Sequence, residues 1–194
     1  MSFQYQSQEF ARPKVLPLLV MIDTTTRHLE GRNHLGRSNI GGIVANCQKA
    51  VRQARARGLP VAFVRDLADV SAPWISGLGP QRDDMLFERR SLSCYSASYF
   101  REAAKRGGAL LVAGFPGEGG AMALAVDALR AAHRVTFLQD ALEDGDSRRL
   151  LCAPLFEAFA KHPELGLAVT GTHRWFAADA LSAVLGGIGI GHAS

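Results

Sequence analysis

Residues 110–127, LLVAGFPGEGGAMALAVD, constrain the fold of this chain more than any other stretch. Leu110, Leu111 and Val112 form a short apolar run suited to a strand buried on both faces. Four glycines then fall within seven positions, at Gly114, Gly117, Gly119 and Gly120. Beyond them Met122, Ala125, Val126 and Leu129 recur at helical spacing. The stretch therefore reads as strand, glycine-rich turn, helix. Two readings of the turn stand side by side. Either its glycines serve backbone geometry alone, or they present N–H groups to an anion at a helix N-terminus, where the helix dipole favours negative charge. It is no phosphate loop, because neither GxxxxGKS/T nor GxGxxG occurs in it.

The rest of the chain repeats the alternation. Residues 16–22 are continuously apolar and predict a central strand that ends at Asp23. A carboxylate there is either a turn or cap residue, or an acid/base group in a low-dielectric crevice. A polar loop follows, with Ser38 as an N-cap candidate. Ile43, Val44, Cys47, Val51 and Ala54 then keep helical spacing up to Gly58, which ends the helix. Residues 60–65 predict a second strand. Residues 66–85 form a long excursion, in which Trp74 either lines a pocket or plugs the core. Further strands are predicted at 86–89, 109–114, 134–139 (closing at Asp140) and 165–169. Further helices are predicted near 98–105, over 147–161 (with Pro154 starting it late or kinking it) and over 175–185.

Such alternation predicts one α/β domain over 1–194, with peripheral tails at 1–14 and 186–194. It would be a three-layer αβα, doubly wound parallel sheet of six strands in the order 3-2-1-4-5-6. Ligands of such sheets bind beyond the carboxyl ends of the strands, where the order reverses. Asp23 and the 114–120 turn would face each other there, with Arg89 entering from the side.

Composition narrows the function. The formal net charge is +4, and the positive residues, among them Arg52, Arg55, Arg57, Arg148 and Arg149, are scattered. A nucleic-acid partner would need a concentrated basic stripe with interleaved aromatics, so none is expected. A small anionic substrate suits the balance better. Cys47, Cys94 and Cys152 are odd in number and far apart, so no disulfide framework is expected. No apolar run reaches membrane-spanning length and the first residues lack a signal-peptide core, so no membrane partner and a cytoplasmic location are expected.

Three segments together resemble the isochorismatase-like family, also called the cysteine hydrolase superfamily. They are LLVMID ending at Asp23, RRSLSCYSASYF from Arg89 to Phe100, and VAGFPGEGGAMALAVDAL followed by FLQDAL. The amidohydrolase members use an Asp, Lys and Cys triad. Those positions hold Asp23, Arg89 and Gly120 here. Gly120 cannot carry a thiolate attack. No Asp-x-His follows the second strand, so no metal or other cofactor is implied.

Isochorismatases also resemble this chain in having Gly at the nucleophile position. Those enzymes cleave a vinyl ether, and the resemblance implies that the Asp23 equivalent protonates the enol ether carbon. That role needs a carboxyl whose pKa burial has raised. The resemblance further implies a substrate site of Thr25 (where the family has Gln), Trp74, Tyr95, Phe115, Pro116 and Gly119 around Asp23, Arg89 and Gly120. It implies a homo-oligomer and a cis peptide at Phe115–Pro116, where proline lowers the cost of cis to about 0.5–1 kcal/mol. A catalytically silent member that binds a metabolite or a protein is the alternative. A third reading makes Cys94 a displaced amidase nucleophile; against it stands the usual role of such a cysteine as a small buried residue.

Overall fold

The computed structural model describes residues 16–30, 40–116, 119–143, 161, 164 and 166–177. Strand β1 (Leu18–Ile22) is the centre of a six-stranded sheet with β2 (Val61–Asp66), β3 (Met85–Arg89), β4 (Ala109–Gly114), β5 (Arg134–Leu142) and β6 (Leu167–Thr170). The order is β3-β2-β1-β4-β5-β6, and every pairing is parallel. The sheet is thus the one the alternation predicts, and its order reverses between β1 and β4.

All five residues of β1 are buried, because both of its faces are covered. Leu18, Val20 and Ile22 point to one layer, where α2 (Phe100–Gly107) and α3 (Gly120–Arg130) supply Phe100, Ala104, Ala121, Leu124 and Ala128. Leu19 and Met21 point to the other. There α1 (Ile40–Ala56) brings Cys47, Ala50, Val51 and Ala54, and the short α4 (Thr172–Phe176) brings Trp175 and Phe176. The period-2 alternation of one strand therefore feeds two separate cores.

The turn after β4 is set by close approach. Gly114 has φ +116°, and a Cβ there would lie 2.1 Å from the Ile22 carbonyl oxygen. Only glycine allows β4 to end so near β1. Phe115 N–H then donates to that same Ile22 carbonyl at 2.7 Å. Gly58, with φ +66°, sits in the left-handed conformation just past α1, as its place in the sequence predicts.

One expectation is overturned. No peptide bond among the described residues is cis, so Phe115–Pro116 is trans. The unusual backbone conformation falls on Gly114, with its positive φ, and trans is the ordinary state of a bond before proline. Other boundaries differ in detail. β5 runs on to Leu142, because a register shift between Val112 and Gly114 brings Leu142 opposite Gly114. α4 starts at Thr172, three residues before the predicted helix. The helix expected over 147–161, the Ser38 cap and both tails lie outside the described residues, save Lys161.

Candidate functional site

Asp23 follows the last residue of β1 and is fully buried. Its backbone is left-handed at φ +51°, a conformation that a non-glycine residue holds at a cost of roughly 1–3 kcal/mol and that concentrates at functional sites. Its own N–H donates to the Val64 carbonyl at 2.8 Å, which continues the parallel ladder with β2. The carboxylate is therefore placed by the sheet, with no flexible loop between.

Both carboxylate oxygens are engaged. Oδ1 accepts the Asp66 backbone N–H at 3.0 Å, from the end of β2. Oδ2 accepts Nη2 of Arg89, the last residue of β3. Arg89 is only 4% exposed. Its Nη1 donates to the Ser91 carbonyl at 2.5 Å and lies 3.4 Å from an Asp66 carboxylate oxygen. Its Nε finds no partner, and neither does the hydroxyl of buried Thr25. Burial pushes the Asp23 carboxyl above the usual carboxylate range; Arg89 and the Asp66 N–H pull it back without cancelling the rise.

Gly120, the third position of the trio, is the first residue of α3 and is buried. A Cβ there would lie 2.9 Å from Pro116 Cβ and 3.8 Å from the Leu92 carbonyl oxygen. The proline ring is held by its own backbone, so the position admits no side chain without a shift. Gly119 caps α3 with φ +72°, and a Cβ on it would meet open space. Phe115 is fully buried in the core shared with α1 and α4.

The other proposed contacts are placed as follows. Thr25 pairs by its backbone with Trp74 in an isolated antiparallel bridge, which ties the 66–85 excursion to the loop after β1. The Trp74 ring packs edge-on against Phe63 at 5.8 Å, with the Arg65 guanidinium 5.4 Å from its centroid. It thus plugs the α1 side of the sheet. The Tyr95 hydroxyl hydrogen-bonds His133 Nδ1 at 2.5 Å, just before β5 begins, so it is committed away from Asp23. Cys94 is fully buried, and burial pushes its thiol well above the ordinary cysteine range. Such a thiol is inert as a nucleophile at neutral pH.

Three polar residues of this edge are not singled out by the sequence. Asp66 carries the same signal as Asp23, a carboxylate at the end of a parallel strand. His28 and Asp69 have no such signal. His28 Nε2 lies 3.0 Å from one Asp69 oxygen, and Arg27 Nη1 lies 2.7 Å from the other. No group of three or more metal-ligating side chains occurs among the described residues. A groove of about 720 Å³, lined by Leu16, Pro60, Met85, Phe87 and Tyr99 among others, opens at the amino ends of the strands, opposite Asp23.

The model of the Isochorismatase domain matches residues 17–150, which span β1 to β5 and all of this geometry. The chain belongs to the isochorismatase-like family. No curated protein shows significant sequence similarity to it. Among solved structures it resembles an isochorismatase from Pseudomonas putida KT2440, with 21% identity, TM-score 0.66 and coverage of 84% of this chain and 91% of that one. It resembles the N-carbamoylsarcosine amidase from Thermoplasma acidophilum with 19% identity, TM-score 0.62 and coverage of 81% and 96%. It also resembles the MAR1 ribonuclease from Caenorhabditis elegans with 14% identity, TM-score 0.63 and coverage of 84% and 80%. These likenesses establish the isochorismatase-like fold. The three names describe three different activities, so the chemistry has to be argued from this chain's own site.

Proposed function

We propose that this isochorismatase-like protein is a hydrolase in which Asp23 acts as general acid on a small carboxylated metabolite of the vinyl ether type. The observation that carries the reading is the Asp23 carboxyl, fully buried at the sheet's switch point with a raised pKa. Burial shifts the carboxyl toward its protonated form. As the proton passes to the enol ether carbon, the nascent carboxylate is met by Arg89 Nη2 and the Asp66 N–H, already in place. Donors whose hold strengthens as the charge forms lower the barrier to proton transfer. Water then adds to the oxocarbenium ion, and the hemiketal breaks to an alcohol and a keto acid. Arg89 keeps the positive charge of the family's lysine position, and the substrate carboxylate is drawn to it.

Loss of the nucleophile supports ether over amide chemistry, since Gly120 has neither a thiol nor room for one. The protein acts without metal or cofactor, on a small anionic substrate, as a homo-oligomer. Purified protein incubated with isochorismate should release pyruvate. Asp23→Asn should abolish release with the fold intact by circular dichroism; undiminished release rejects the assignment.

A second reading is favoured by one observation. Arg89 already spends both terminal nitrogens on Asp23, Ser91 and Asp66, as a structural strut would. A silent member that binds a metabolite or a protein would release no pyruvate from isochorismate or related enol ethers.

A further inference from the structure

We propose that His28, oriented by Asp69, is the proton acceptor for the water that attacks at the Asp23 site. The inference rests on the acid-catalysed reading above, which names a group that gives a proton and none that takes one from water. Arg89 cannot accept it, because a guanidinium has no free lone pair. The Cys94 thiol is buried and holds its own proton.

His28 stands on a single helical turn, Thr26–Leu29, that starts three residues after Asp23. Its backbone N–H donates to the Thr25 carbonyl at 3.2 Å, which fixes the turn against the end of β1. The Thr26 N–H donates to Pro73 at 2.8 Å, so the turn is also pinned to the excursion after β2. The imidazole Nε2 lies 3.0 Å from Asp69 Oδ2. Asp69 is 6% exposed and belongs to the turn Leu67–Asp69, directly after Asp66. One short stretch thus holds both partners: Asp66 N–H binds the Asp23 carboxylate, and Asp69 binds the His28 ring.

A carboxylate only accepts, so Nε2 carries the proton and Nδ1 carries the lone pair. An acid that fixes the tautomer of an imidazole and steadies the imidazolium is the arrangement by which histidine bases are activated. Arg27 on the other Asp69 oxygen offsets part of the charge of that carboxylate. A positive charge on His28 would be felt at Asp23, where it favours the carboxylate form. A histidine that has gained a proton would therefore steady Asp23 after its own proton has left.

The steps balance. Asp23 gives its proton to the methylene carbon, and the oxocarbenium ion forms. Water bonds to the cationic carbon as His28 Nδ1 takes one of its protons. On collapse of the hemiketal the C–O bond to the leaving group breaks. His28 returns its proton to the alcohol oxygen, and the hemiketal hydroxyl proton returns to Asp23. Both residues end as they began.

The test uses the full chain with isochorismate, reading pyruvate. His28→Gln should lower kcat by roughly 10²–10⁴ with KM within twofold, the range for loss of a general base. His28→Ala should be equally slow and should regain at least tenfold on addition of imidazole, which a structural role would not produce. Asp69→Asn should lose kcat, and Asp69→Glu should restore part of it. Active wild-type enzyme with an unaffected His28→Gln, or with a slow His28→Ala that imidazole does not rescue, overturns the role of His28 alone. Wild-type enzyme that releases no pyruvate sinks the acid-catalysed reading and this inference with it.

Discussion

A methyl group at position 120 would sit 2.9 Å from Pro116 Cβ, well inside van der Waals contact. Gly120→Ala should therefore destabilise the protein by about 1–3 kcal/mol through forced backbone shift, read as a lower urea midpoint. Gly120→Cys should share that loss and should not confer amidase turnover. Arg89→Met removes the counter-charge of buried Asp23, and at a pH where Asp23 is ionised breaking such a pair should destabilise by about 3–5 kcal/mol. The sign of its pH dependence follows from the raised Asp23 carboxyl. Stability linked to a raised acid is fully present below the unfolded value, 3.8, and is lost as pH rises through the folded one. The variant should thus lose more of its unfolding free energy between pH 4 and pH 7 than wild type does. A denaturant titration at each pH, with equal losses for both proteins, would refute the account.

At the scale of elements, β1 and β4 were legible because burial on both faces makes a parallel strand continuously apolar. Edge strand β3 alternates, with Leu86 and Glu88 exposed, and it still read as a strand. The start of α4 was not legible. The Asp140 side chain accepts Thr172 N–H at 2.7 Å and the Thr172 hydroxyl at 2.8 Å, and so pins the helix across 32 positions. Local propensity carries no trace of such a bond. The same holds for His28 and Asp69, 41 positions apart, whereas Asp23 and Arg89 could be named because Asp23 follows the end of one strand and Arg89 ends another. Asp140→Ala should cost about 2 kcal/mol by removing both bonds. Trp175, on α4, should report the loss as a fluorescence change at lower urea than in wild type.

At the scale of the whole molecule, the sheet order brings the ends of β1, β2 and β3 together around Asp23. The two layers also bury groups that make the fold sensitive to acid. His133, held by Tyr95, has its pKa lowered by burial and by Lys105. A histidine depressed in the folded state keeps its contribution above the unfolded value, 6.5, and loses it as pH falls through the folded one. The stability advantage of wild type over His133→Gln should therefore shrink from pH 7 to pH 5; a constant gap would count against it. Cys47, its thiol pushed up to about 12 by burial, and Cys94 should resist a thiol reagent until the chain unfolds.

The proximity of Pro116 to position 120 also imposes an order on any laboratory attempt to turn this protein into a thiol hydrolase. The Pro116 Cβ itself has to go first, as in Pro116→Gly, and only then does a sulfur atom have somewhere to stand. A library that varies single codons would miss the route, whereas one that varies 116 and 120 jointly contains it.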